Sequence, residues 1–79
     1  MTSIKINLND FDRINKFVSF LSRLDIDFDV RHARHIVDAK SIMGLLSLDL
    51  SRPVELVAYT DDKDEIDKIT QGLVQIGAL

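Results

Sequence analysis

The apolar residues of this chain repeat with two different spacings in turn, and that alternation constrains its fold more than any other feature. Ile4, Ile6 and Leu8 alternate with Lys5 and Asn7, the pattern of a half-buried strand. From about Asp10 to Leu24 the spacing becomes helical. Ile14, Phe17, Val18, Leu21 and Leu24 share one face, while Arg13, Lys16, Ser19, Ser22 and Arg23 fall away from it. Asn9 and Asp10 offer a helix start, and Asp12 adds negative charge to the first turn. From Asp25 the period returns to two, with Ile26, Phe28 and Val30 set against Asp25, Asp27, Asp29 and Arg31. The three aspartates read as the solvated face of an antiparallel sheet. No histidine or second carboxylate cluster is placed to join them in acid–base work.

The chain should turn back at His32, Ala33, Arg34 and His35, with a second strand through Ile36, Val37, Asp38 and Ala39. If Ala33 and Arg34 form the turn, the two histidines face each other across a hairpin. Two imidazoles so placed are either exposed turn residues or half of a metal site that lacks further ligands.

The stretch Lys40, Ser41, Ile42, Met43, Gly44, Leu45, Leu46, Ser47, Leu48 reads as a short helix. Ser41 stands where an N-cap belongs, its hydroxyl able to accept from a first-turn N–H. Ile42, Leu45, Leu46 and Leu48 follow at helical spacing and are expected to lie on a core. The same helix end has outward N–H groups and a positive partial charge, so it also suits a phosphoryl group on Ser41. Ser51, Arg52 and Pro53 make a turn. Val54 to Tyr59 then reads as a strand with Val54, Leu56 and Ala58 on one side and Glu55, Val57 and Tyr59 on the other. Asp61 or Asp62 opens a last helix, buried along Ile66, Ile69, Leu73 and Ile76, with Gly77 suited to its end.

Strand, helix, strand, strand, helix, strand, helix implies an α+β domain, βαββαβα, with one four-stranded antiparallel sheet and three helices on one face. Composition narrows the function. Seventy-nine residues suit one domain, 1–79, near the lower limit for a self-sufficient core. A net charge of −3 leaves no basic footprint for nucleic acid. With no cysteine, disulfides, thiolate catalysis and cysteine-held zinc are excluded. No signal-like leader and no membrane-length apolar run are present, which sets the expectation of a cytoplasmic protein.

The block Lys40–Leu48 closely resembles the K-S-I-M-G-x-x-S-L segment of the HPr phosphocarrier family of the bacterial sugar phosphotransferase system, and the element order matches that family's open-faced β-sandwich. The resemblance implies that Ser41 is a regulatory site phosphorylated by an HPr kinase/phosphorylase. It also implies that Lys40, Ile42, Met43 and Leu46 belong to a partner-binding patch. The family's phosphoryl transfer runs through a histidine at the start of the first helix, within an H-x-R-P motif. A gapless overlay anchored at Ser41, and supported by Phe17 and Val18, puts Asp10 at the histidine, Asp12 at the arginine and Arg13 at the proline. His32, Ala33 and Arg34 spell part of that motif in the wrong setting, with no helix following.

Transfer through phosphohistidine needs a neutral imidazole nitrogen and a fixed cation for the phosphoryl oxygens. Asp10 has no such nitrogen, and Asp12 would repel the incoming group. Three classes therefore compete: a regulatory module acting through Ser41 in catabolite repression, a phosphocarrier using another residue such as His32 or His35, and an unphosphorylated interaction domain. For the first, the resemblance implies protein partners, namely the kinase and a transcriptional regulator. It implies neither enzyme activity of its own nor a cofactor or metal.

Overall fold

The computed structural model describes all 79 residues. Its elements run β1 (Thr2–Ile6), α1 (Phe11–Ser22), β2 (Phe28–His32), β3 (His35–Asp38), α2 (Ile42–Leu46), β4 (Val54–Ala58) and α3 (Lys63–Gln75). The strands form one antiparallel sheet in the order β1-β4-β2-β3. β4 is thus a central strand, with Leu56 opposite Ile4 on one side and Val30 on the other.

One face of that sheet carries the core. Ile6, Phe28, Val30, Val54, Leu56 and Ala58 join Ile14, Phe17 and Leu21 of α1, Leu45 of α2, and Ile69 and Leu73 of α3 in one buried cluster. All three helices therefore cover the same face, and the other face stays open. Each large side chain in the cluster contributes about 1.5–3 kcal/mol by leaving water.

The element ends differ from the periodicity for local reasons. The first strand stops at Ile6 because the Asn7 amide turns to the Ala78 carbonyl (2.8 Å), while Leu8 still drops fully into the core. The long helix closes at Ser22, where the Arg23 and Leu24 amides reach back three residues to Phe20 and Leu21. Ala33 takes a positive φ of 55° in the β2–β3 turn, and this places His32 opposite His35 as the last ladder pair. Both histidines thus lie within the strands that flank the turn.

Two residues depart from the pattern. Leu46 follows the core spacing of Leu45 yet is half-exposed, as a place in the expected partner patch requires, because α2 spans only five residues and offers the core one buried side chain, Leu45. Val57 alternates with Leu56 onto the side it shares with Glu55 and Tyr59, yet it is fully buried there, outside the main cluster, between Ser3 and Asp29 of the flanking strands. A residue in a central strand loses water to neighbours on both sides even where no helix lies above it.

α3 begins at Asp62, whose carboxylate accepts from the Glu65 amide (3.1 Å). It ends at Gly77, whose φ of 79° is the left-handed conformation that glycine adopts without steric cost. Gly72 in the same helix meets Phe20 of α1 so closely that a β-carbon there would lie 2.1 Å from the ring. No helix is long and apolar enough to cross a membrane.

Candidate functional site

Ser41 sits between β3 and α2 in an extended conformation, and its side chain caps the helix. Its Oγ accepts from the Gly44 amide (3.1 Å), and its carbonyl accepts from Leu45 (3.0 Å). Two further bonds fix its approach. The Ser41 amide donates to the Asp38 carbonyl (3.1 Å), and the Asp38 carboxylate accepts from the Lys40 amide (2.9 Å). The serine is half-buried, so its hydroxyl is held by the helix yet still borders solvent. Lys40 points elsewhere: its Nζ donates to the Leu24 carbonyl (2.9 Å) and stands 5.8 Å from the centre of the Phe28 ring. Its ammonium braces the end of the β3–α2 connection against the segment after α1.

The start of α1 is built from acids. Asp10 is the N-cap, with its carboxylate accepting from the Asp12 amide (2.9 Å). Asp12 pairs with Lys16 one turn on (3.1 Å). Arg13 donates through Nη1 to Asn9 Oδ1 (2.8 Å), and its guanidinium lies against Gly77. One of the donors that this helix N-terminus offers an anion is thus met by a carboxylate already in the chain.

Between these two helix starts lies apolar surface. Met43 is 83% exposed and Leu46 is 50% exposed, three residues apart on one side of α2, with Ile42 half-buried beside them. Across from Leu46 stands Phe11, 61% exposed at the first position of α1. Phe11 and Leu46 wall a shallow groove floored by Leu8, Ile14, Leu48 and Leu50. Phe11 was not singled out by sequence. Its clue was its place at the margin of the Ile14–Leu24 stripe, where periodicity alone does not show that nothing covers it.

The other candidates do not converge. His32 and His35 are ladder partners, but no group of three or more histidine or carboxylate side chains is placed to hold a metal ion. Asp29 faces Asp38 across β2 and β3, and it accepts from the Tyr59 hydroxyl (2.6 Å) on the open face. That hydrogen bond, with help from desolvation and the negative charge, holds the Tyr59 phenol above its ordinary value of 10.0.

A four-stranded open sheet backed by three helices thus presents a serine that caps the short middle helix beside exposed methionine and leucine. The family model of the phosphotransferase-system HPr component, described as its phosphorylation site, matches residues 13–75. The chain therefore belongs to the HPr family. Among solved structures it is similar to HPr-C-His from Thermoanaerobacter tengcongensis, at 29% identity and a TM-score of 0.74, over 95% of this chain and 92% of that one. It also shares its fold with the phosphocarrier protein HPr from Bacillus anthracis str. Ames, at 20% identity and a TM-score of 0.70, over 90% of this chain and 94% of the other.

Proposed function

We propose that this chain is a regulatory member of the HPr family, a single cytoplasmic domain that no longer carries phosphate through histidine and acts instead through Ser41. The observation that carries this reading is the pairing at α2: a capping hydroxyl that borders solvent, next to the exposed Met43 and Leu46. A phosphoryl group on Ser41 would bring a charge of roughly −1.5 to −2 to the positive end of the helix. The fold tolerates charge there, and the apolar patch beside it gains an anion.

The start of α1 supports the other half of the reading. Asp10 keeps the capping bond that the helix requires and gives up the nucleophile that transfer requires. Asp12, committed to Lys16, supplies no cation for a transferring phosphoryl group. The protein is then neither an enzyme nor a carrier. Its partners are an HPr kinase/phosphorylase and a transcriptional regulator that contact Ile42, Met43 and Leu46, and it needs no cofactor. Lys40 contributes mainly by holding the β3–α2 connection, since its ammonium is already bonded to Leu24.

The test is binding. A catabolite-control type regulator should bind the kinase-treated protein more tightly than the untreated one, and Ser41→Ala should lose the difference. Equal binding of treated wild type and treated Ser41→Ala would leave Ser41 as a helix cap alone.

A further inference from the structure

We infer that the open face of the sheet binds an extended protein segment that carries an arginine or lysine flanked, at alternate positions, by apolar residues. This face lies opposite the three helices, and the binding needs no phosphate on Ser41.

Three observations carry the inference. First, charge is sorted across the face. The strand register sets Lys5, Glu55, Arg31 and Ile36 side by side in one row, and Ser3, Val57, Asp29 and Asp38 in the next. In the first row Glu55 stands between the two cations and meets Arg31 at 3.5 Å. In the second, Asp29 and Asp38 stand directly opposite each other, and like charges so placed cost stability. Asp27 brings a third carboxylate to the same hollow of about 350 Å³, with Tyr59 on its wall.

Second, these carboxylates are not spent. None of the three lies in an ion pair. Asp29 accepts from the Tyr59 hydroxyl and Asp38 from the Lys40 amide, which leaves lone pairs on both. Lys40 borders the hollow, yet its ammonium lies in no ion pair and is bonded to the Leu24 carbonyl. A guanidinium or ammonium brought by a partner would supply the missing cation.

Third, the acids lie between two exposed apolar side chains. Ile36 is 59% exposed and Tyr59 is 49% exposed on the face that no helix covers. Two strand spacings, about 10 Å, and two rows, about 13 Å, separate them. The diagonal is about 16 Å, the reach of about five extended residues. The first and fifth side chains of such a segment then meet Ile36 and Tyr59, while the third lies over Asp29 and Asp38. An acidic segment in the same place would meet repulsion. A second copy of this chain offers Lys5 and Arg31, but both already face Glu55.

The probe is an end-capped peptide, Leu-Ser-Arg-Ser-Leu-Ser-Arg-Ser-Leu, with a twin carrying glutamate at each arginine. Amide shifts of the ¹⁵N-labelled full chain locate the binding. Emission from Tyr59, the sole tyrosine in a chain without tryptophan, follows its strength. The arginine peptide should bind about tenfold more tightly than its twin, weaken with added salt, and shift Asp29, Ile36, Asp38 and Tyr59 first. Asp38→Asn keeps an acceptor for the Lys40 amide and removes the repulsion with Asp29. It should weaken arginine-peptide binding roughly fivefold without lowering the melting temperature. Ile36→Ser should weaken binding of both peptides.

Met43→Ala, on the helical side, should bind the arginine peptide as wild type does. Equal binding of the two peptides, tighter binding of the glutamate twin, shifts centred on the helices, loss of binding in Met43→Ala, no binding at all, or a dimer that buries Tyr59 would each overturn the inference.

Discussion

Ser41 Oγ lies 3.1 Å from the Gly44 amide nitrogen, and Asp10 Oδ1 lies 2.9 Å from that of Asp12. Ser41 and Asp10 make the same local bond, a side-chain oxygen accepting from a first-turn amide, and sequence revealed both because serine and aspartate are favoured caps. What sequence left hidden was the use of neighbouring charges. Lys40 is next to Ser41 in the chain, whereas the fold turns its ammonium to Leu24, sixteen residues away. Tyr59 offers a clean test at this scale because it is the sole tyrosine. Its hydrogen bond to Asp29 raises the folded phenol above 10.0, so the stability that the bond contributes is present below the unfolded value and lost as pH rises through the folded one. Phenolate absorbance should show Tyr59 ionising above 10.0, and Asp29→Ala should return it towards that value. An unchanged titration in Asp29→Ala would show that the bond does not form in solution.

At the scale of elements, period switching was enough to place every strand and helix in order. The ends were less legible, because they are set by bonds between distant segments, such as the Asn7 amide meeting Ala78. Leu46 and Val57 show the same limit from two sides. A short helix cannot bury what its spacing promises, and a central strand buries what its alternation exposes. The contact of Gly72 with Phe20 likewise had no local signal, because a glycine inside a helix reads only as a weak position. Gly72→Ala gains about 1 kcal/mol of helix propensity. It also forces the Phe20 ring aside, at a cost of about 1–3 kcal/mol. The expected result is a lower melting temperature with the helix content kept. A variant more stable than wild type would mean that Phe20 moves away freely.

At the scale of the whole molecule, the fold and the family follow from element order and from the Lys40–Leu48 block, and the match over residues 13–75 agrees with both. The proposed function turns on two helix starts: α1, capped by Asp10 where the proposal places the family's histidine, and α2, capped by Ser41. The most direct test is the acid stability and position of phosphate after separate incubations, one with phosphoenolpyruvate and Enzyme I, the other with ATP and an HPr kinase. The account predicts no phosphate from the first and one acid-stable phosphate from the second, mapped to Ser41 and absent from Ser41→Ala. Acid-labile phosphate from phosphoenolpyruvate, on His32, His35 or Asp10, would contradict it and make the chain a carrier.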